Sequence, residues 1–173
     1  MHWLAWYPVM LLVAVAVIWD LRCRRIPNWL VVPFMVAGVT MSAVHSGWRG
    51  LAISCSGIAL AAAVLGGFCS VGGMGMGDLK LFAAIGSWIG PGQLATALAS
   101  AGIAGGIMAL IVVAFSGELG RSLDNTGELI GSALRSGLRR HPELNMSNPK
   151  ARKIPFAPAI AIGTLVSFFS LPG

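Results

Sequence analysis

The sequence predicts an all-α, polytopic membrane protein with about six transmembrane helices, formed by a single domain over residues 1–173. Of the 173 residues, 56% are hydrophobic and only 10% are charged, and the mean hydropathy is +0.80. These values are too apolar for a soluble globular domain. The charged residues lie between uncharged runs, and several runs approach the length of about 20 residues that a membrane-spanning helix needs.

Uncharged runs and turn signals divide the chain into six predicted spans. They cover residues 3–19, 28–44, 51–69, 78–89, 93–115 and 154–171. Pro27 and Asn28 mark a turn before the second span, with Asn28 as the candidate N-cap. Gly90-Pro91-Gly92 breaks the long uncharged run between the fourth and fifth spans. No Lys or Arg precedes the first span, which favours a retained helix over a cleaved signal peptide.

The fourth span is short for a membrane helix. The 12 residues from Asp78 to Ile89 form about 18 Å of helix, whereas the hydrocarbon core is about 30 Å thick. Either the helix begins earlier, among the glycines, or Asp78 is recessed below the membrane surface. We expect recession, because the glycines before Asp78 disfavour regular helix.

The distribution of positive charge predicts an orientation. Eleven of the 12 Lys and Arg residues fall in the first, third and fifth loops, and only Arg49 falls in another loop. The positive-inside rule then places these loops in the cytoplasm and both termini on the outer, periplasmic side of an inner membrane. The net charge of +6 therefore fits the anionic surface of a lipid bilayer and not a nucleic acid.

The fifth loop, residues 116–153, is the one sizeable polar segment. Its apolar residues recur at spacings of four and seven, which is typical of an amphipathic helix on the cytoplasmic surface. They are Leu119, Leu123, Ile130, Leu134 and Leu138. A solvated connector is the alternative interpretation.

Cysteine and histidine form no metal-binding pattern. The three cysteines include no CxxC pair, and the three histidines lie far apart. We therefore expect neither a metal nor another cofactor. Cys55 and Cys69 are interpreted as small buried apolar residues. The sequence carries no signal for an oligomeric state.

Asp20 and Asp78 are the only acidic residues outside the fifth loop, and each adjoins a long apolar run. A carboxylate beside the hydrocarbon is costly, and in a membrane protein such a residue is a candidate functional group. Asp78 has a structural alternative, as the N-cap of a helix that follows a glycine loop. Asp20 has one too, as a partner for the arginines after it, but an acid at a helix C-terminus opposes the helix dipole.

Taken together, the two aspartates fit an aspartic dyad. Two neighbouring carboxylates share a proton and titrate as a pair. One can act as a general base on water while the other acts as a general acid toward a carbonyl oxygen. Gly75 and Gly77 would let another backbone approach Asp78. Lys80 is expected to point away from Asp78 and to reach lipid headgroups.

Three stretches around these residues resemble the type IV prepilin peptidases, a family of GxGD membrane aspartic peptidases. Residues 20–28, DLRCRRIPN, are similar to the family's first-aspartate motif, which ends in I-P-N. Residues 75–80, GMGDLK, are similar to its GxGD-x-K motif. Residues 153–158, KIPFAP, resemble the P-F-G-P motif at the start of its final helix, with Ala157 where glycine is common. GxGD alone also occurs in presenilin-like proteases, but the I-P-N motif makes the resemblance specific.

The resemblance implies that Asp20 and Asp78 are the catalytic pair. The residues of the same motifs that would support them are Gly75, Gly77, Lys80, Pro27 and Asn28. The implied reaction removes the leader peptide of prepilins or pseudopilins after a glycine at the cytoplasmic membrane face, for pilus biogenesis or related secretion.

Larger family members carry an extra segment with CxxC motifs and also N-methylate the new N-terminus. Here only seven residues separate Asp20 from Asn28, so we expect a peptidase without methyltransferase activity. This compact form is similar to the peptidases of Flp/Tad-type pili, and archaeal preflagellin peptidases are the alternative.

Two other function classes fit paired acids. A small transporter or proton relay also uses intramembrane carboxylates, although it usually has further polar residues deep in its helices, which are scarce here. A non-catalytic assembly factor would use the acids structurally. An endopeptidase is the leading hypothesis because of the motifs that flank both aspartates.

Overall fold

The computed structural model describes residues 3–71, 74–116 and 156–170, and these residues are helical apart from short connections. The helices in these ranges are α1 (Trp3–Cys23), α2 (Asn28–Val71), α3 (Met76–Ser116) and α4 (Ala157–Phe169). The all-α prediction is confirmed for this part of the chain. The predicted amphipathic helix of the fifth loop lies outside the described residues.

Helix α2 reverses direction at Gly47. As a straight helix its 44 residues would extend about 66 Å. Gly47 instead has φ 57° and ψ −139°, a conformation that glycine adopts without steric cost. In a straight helix, Ser42 and Gly50 would lie about 12 Å apart along the axis. In the structure they are so close that a Cβ on Gly50 would collide with the main-chain carbonyl of Ser42. Residues 28–46 and 48–71 therefore form a helical hairpin.

Helix α3 turns in the same way at Gly90, where φ is 75°. A Cβ on Gly86 would lie 2.7 Å from the Leu94 side chain, on the other side of the turn. The predicted break at this glycine is confirmed. The described helices thus contain six helical segments, and each begins and ends within four residues of a predicted span.

Three of these helices are long and apolar enough to cross a membrane. They are α1, α2 and α3, whereas α4 has only 13 residues. Many large apolar side chains are exposed on their outer faces, such as Val44 and Trp48, as expected for surfaces that meet lipid. That the six segments make six crossings, with both termini outside, stays a prediction.

Small residues allow the segments to pack closely, as is common in membrane helix bundles. A Cβ on Gly57 would collide with the carbonyl oxygen of Gly86, so the backbones of α2 and α3 are in direct contact at these two glycines. Near this point the buried Ser54 hydroxyl donates a hydrogen bond of 2.7 Å to the Ser87 carbonyl. Gly163 of α4 fits equally closely against Ala97 of α3.

The ends of several helices converge on one side of this bundle. The end of α1 meets the start of α4 through Asp20 and Ala157. The start of α2 meets the start of α3 through Asn28 and Lys80. The turns at Gly47 and Gly90 lie at the far ends of the segments that begin here. Residues of all three recognised motifs therefore meet at one end of the fold.

Candidate active site

Asp20 lies in the last turn of α1 and is buried, with 6% of its surface exposed. Its Oδ2 accepts a hydrogen bond of 3.1 Å from the main-chain N–H of Ala157, the first residue of α4. The residue before Ala157, Phe156, offers no side-chain cap, and a proline follows. Asp20 therefore caps α4 rather than its own helix.

Asp78 lies in the first turn of α3, two residues after the helix begins at Met76. Its main-chain N–H donates to the Gly75 carbonyl at 3.1 Å, and its carboxylate accepts a hydrogen bond from the Gly75 backbone. This reciprocal arrangement resembles a capping box. The alternative interpretation of Asp78 as an N-cap residue therefore does not hold, because Gly75 occupies that position.

The earlier start also lengthens the fourth segment. Residues 76–89 form about 21 Å of helix, so the helix does begin among the glycines. The segment is still shorter than the hydrocarbon core of about 30 Å. Recession of Asp78 below the membrane surface stays a prediction.

The fold brings the two carboxylates together although 57 residues separate them in the chain. They are close enough to interact electrostatically. Asp20 is buried, whereas Asp78 is partly exposed. They are the only acidic side chains among the described residues. Their placement at one end of the bundle is what an aspartic dyad requires, since two such groups can share one proton.

The first and second motifs contact each other beside this pair. The Lys80 ammonium donates a hydrogen bond of 3.0 Å to Asn28 Oδ1. This corrects the expectation that Lys80 reaches toward lipid headgroups. The expectation that Asn28 is the N-cap of α2 is also corrected. The Pro27 carbonyl accepts the first helical hydrogen bond of α2, from the Leu30 N–H at 3.2 Å, so Pro27 occupies the N-cap position. Asn28 and Lys80 instead join the starts of α2 and α3.

The glycines of the second motif are closely approached by other groups of the chain. A Cβ on Gly77 would lie 3.2 Å from the Ile26 Cβ, and a Cβ on Gly75 would lie 3.2 Å from Asp78 Oδ2. The loop before Pro27 thus occupies the space beside Gly77 that the sequence had suggested for another backbone. The glycine lets this loop pack against the start of α3.

Arg24 ends α1 in an unusual conformation. Its main-chain N–H donates to the Asp20 carbonyl at 2.7 Å, and its φ is 50°, the only positive φ of a non-glycine among the described residues. A left-handed residue commonly ends a helix, but it is usually glycine. The conformation turns the chain so that Ile26 can reach Gly77.

Glycine at position 24 is therefore expected to give a more stable fold than alanine at the same position. We expect Arg24→Gly to unfold at a higher denaturant concentration than Arg24→Ala, with a difference of about 1 kcal/mol in the free energy of unfolding. Both variants lose the same exposed charge, so the comparison isolates the backbone term. Unfolding in detergent micelles, followed by circular dichroism, measures it. Equal stability of the two variants would contradict the left-handed conformation.

Two residues near the pair were not assigned a role from the sequence alone. Ala157 contacts Asp20 through its main-chain N–H, and only the prolines around it mark a helix start there. Cys69 is buried, as predicted, and its thiol lies 3.8 Å from the Gly75 carbonyl. Cys55, by contrast, is exposed, so the prediction that it is buried is wrong.

The fold and the site define a helical membrane-type protein with two interacting carboxylates at one end of its bundle. Residues 5–110 match the type IV leader peptidase family. This is more than half of the 173 residues, and the chain therefore belongs to that family. The matched region contains both Asp20 and Asp78.

A curated relative extends this comparison. The chain is 29% identical over 163 residues to a prepilin leader peptidase/N-methyltransferase of Bacillus subtilis (strain 168), an alignment that covers 92% of the chain and 52% of the relative. The chain thus spans about half the length of that protein. No solved structure matches the chain.

Proposed function

We propose that this protein is a membrane aspartic endopeptidase that removes the leader peptide of type IV prepilins. Its substrates are of the Flp type, and the cut falls after a glycine at the cytoplasmic face of the inner membrane. The family supports prepilin processing in general. The Flp-type substrate, the cleavage position and the aspartic chemistry are our proposals.

The observation that carries the proposal is the placement of Asp20 and Asp78 near each other at one end of the bundle. They come from different helices, α1 and α3, and they interact electrostatically at one end of the bundle. Asp20 is held by a main-chain donor of a third helix, and Asp78 by the backbone before its own helix. Three separate parts of the sequence thus contribute to one pair of acids.

The pair can hydrolyse a peptide bond without a cofactor. One carboxylate, ionised, removes a proton from water, and the resulting hydroxide attacks the carbonyl carbon of the leader glycine. The other carboxyl group donates its proton to the carbonyl oxygen. When the tetrahedral intermediate collapses, the C–N bond breaks, the first aspartate gives the proton it took from water to the leaving amine, and the second aspartate takes a proton back from a hydroxyl group of the intermediate. Both aspartates then return to the state with one shared proton.

The location of the pair fits a substrate that is itself anchored in the membrane. The basic residues Arg22, Arg24 and Arg25 follow Asp20 directly, so the positive-inside rule places this end of the bundle in the cytoplasm. A prepilin whose leader stays in the cytoplasm would present its cleavage site at this depth. Its apolar segment would lie beside the exposed apolar faces of the bundle.

Leader removal is proposed to occur without methylation of the product. In the structure only residues 24–27 connect α1 to α2. This connection leaves no room for the additional segment that the resemblance associates with methyl transfer. The name of the Bacillus relative includes both activities, but the chain covers only about half of that protein.

Coexpression with a Flp-type prepilin tests the proposal. We expect the wild-type protein to convert the prepilin to a shorter form whose N-terminus begins after the leader glycine, with no added methyl group. Intact-mass spectrometry and N-terminal sequencing measure both features. A prepilin whose leader glycine is replaced by a bulky residue is the matched control and should stay uncleaved. Cleavage at another bond, or a methylated product, would contradict the corresponding part of the proposal.

A further inference from the structure

We propose that the main-chain amide of Ala157 is a positioning group of the active site, and that α4 consequently contributes to the site through its first residue. The proposal rests on the proposed peptidase function. The amide donates to Asp20 Oδ2 at 3.1 Å in a buried setting, and Ala157 itself has no exposed surface. Hydrogen bonds to a charged acceptor are among the stronger ones in proteins.

The contact determines the direction of the Asp20 carboxylate. A carboxylate can rotate about the single bonds of its side chain. A hydrogen bond from a fixed donor to Oδ2 removes that freedom. With Oδ2 held by Ala157, the orientation of Oδ1 is set as well. The pair can share a proton only when an oxygen of Asp20 has a defined position relative to Asp78.

The start of α4 is itself firmly placed. The Phe156 ring fills the space where Gly105 of α3 has no side chain. Farther along α4, Gly163 packs against Ala97 and Ala101. The Ser167 hydroxyl donates a hydrogen bond of 2.8 Å to the Gln93 carbonyl. Because α4 is anchored on α3, the helix that carries Asp78, its amide connects the positions of the two aspartates.

This contact lies beyond the part of the chain that the family match covers. That match ends at residue 110, so it includes both aspartates but not α4. The structure assigns residues 156–157 to the site because of a main-chain group, the Ala157 N–H that donates to Asp20. The side chain at this position contributes no donor, and hence the residue type alone does not indicate the role.

An amide-to-ester replacement tests the role directly. Lactic acid, the hydroxy analogue of alanine, is introduced at position 157 by nonsense suppression in the full-length protein. It removes the N–H and keeps the methyl side chain. We expect kcat for prepilin cleavage to fall about tenfold or more while KM stays unchanged, because a charge-assisted hydrogen bond is lost.

The same replacement at Ala159 is the matched control. The Ala159 N–H donates to the Phe156 carbonyl at 3.0 Å, so its ester also removes one hydrogen bond from the first turn of α4 but none from Asp20. We expect its kcat to stay near the wild-type value. If the two esters lower kcat equally, or if the loss appears only in KM, the positioning role of Ala157 is wrong although the protein is a peptidase.

A second measurement tests the contact without reference to activity. Labelling with carbonyl-¹³C phenylalanine and ¹⁵N alanine selects the amides that follow a phenylalanine, and the chain has two, Ala83 and Ala157. Ala83 is a mid-helix residue of α3 and serves as an internal reference. We expect Asp20→Ala to move the Ala157 amide proton upfield and to leave Ala83 unchanged. An unmoved Ala157 signal would overturn the contact even if the peptidase function holds, whereas absence of any cleavage by the wild type would overturn only the function.

Discussion

Asp20→Asn and Asp78→Asn are each expected to reduce prepilin cleavage by about 10²–10⁴-fold, the usual contribution of a positioned acid or base. Asparagine has nearly the shape of aspartate but cannot exchange the proton. At position 20 it retains an oxygen that can accept the Ala157 N–H, so the fold should persist. Single-turnover cleavage of a purified prepilin in micelles measures the loss.

The double variant distinguishes a dyad from two independent acids. Groups that act as a unit are strongly non-additive, so the combined change should cost little more than the larger single change. Asp124→Asn is the matched control, because it removes the same charge from the segment between α3 and α4. Normal cleavage by either Asp20→Asn or Asp78→Asn would exclude the dyad mechanism.

Gly57→Ala is expected to have the largest effect on stability. The added Cβ would collide with the carbonyl oxygen of Gly86, so the facing segments of α2 and α3 would have to separate. Both atoms that meet there belong to rigid parts of the chain. We expect a loss of about 1–3 kcal/mol in the free energy of unfolding, the usual cost of overpacking. Denaturant titration in detergent micelles measures it.

Gly66→Ala is the matched control on the same segment of α2. A Cβ at Gly66 meets no atom within 4 Å, and alanine is the better helix former by about 0.5–1 kcal/mol. The same substitution should therefore stabilise the protein at Gly66 and destabilise it at Gly57. If both variants shift the titration midpoint in the same direction, the close α2–α3 approach is not present.

Several features of the fold were accessible from the sequence because they depend on local patterns. Uncharged runs define helical segments, and the glycine and proline of residues 90–92 predict the turn at Gly90. The turn at Gly47 has no neighbouring proline, but it falls between two predicted spans. The six segments therefore agree closely with the predicted spans. That all six segments cross the membrane rests on the uncharged runs and turn signals, and their orientation rests on the charge distribution.

The details of the site were less accessible, because they depend on which chain segments become neighbours. Lys80 was expected to reach lipid, yet it bonds to Asn28. Asn28 was a candidate N-cap, and an N-cap role was the structural alternative for Asp78, yet Pro27 and Gly75 occupy those positions. An N-cap assignment requires the helix start to within one residue, which composition does not provide. Gly77 was expected to admit another backbone, and only the structure identifies that backbone as the chain's own segment at Ile26.

The sequence by itself determined the class of protein and singled out the two acids that we propose as the catalytic pair. Carboxylates beside hydrocarbon are costly wherever the chain folds, so Asp20 and Asp78 are conspicuous without any coordinates. Only the tertiary structure decided that they lie near each other, and that the backbone of α4 holds one of them. A main-chain N–H is present at every residue except proline, and for that reason only the packing of α4 on α3 could show which one reaches Asp20.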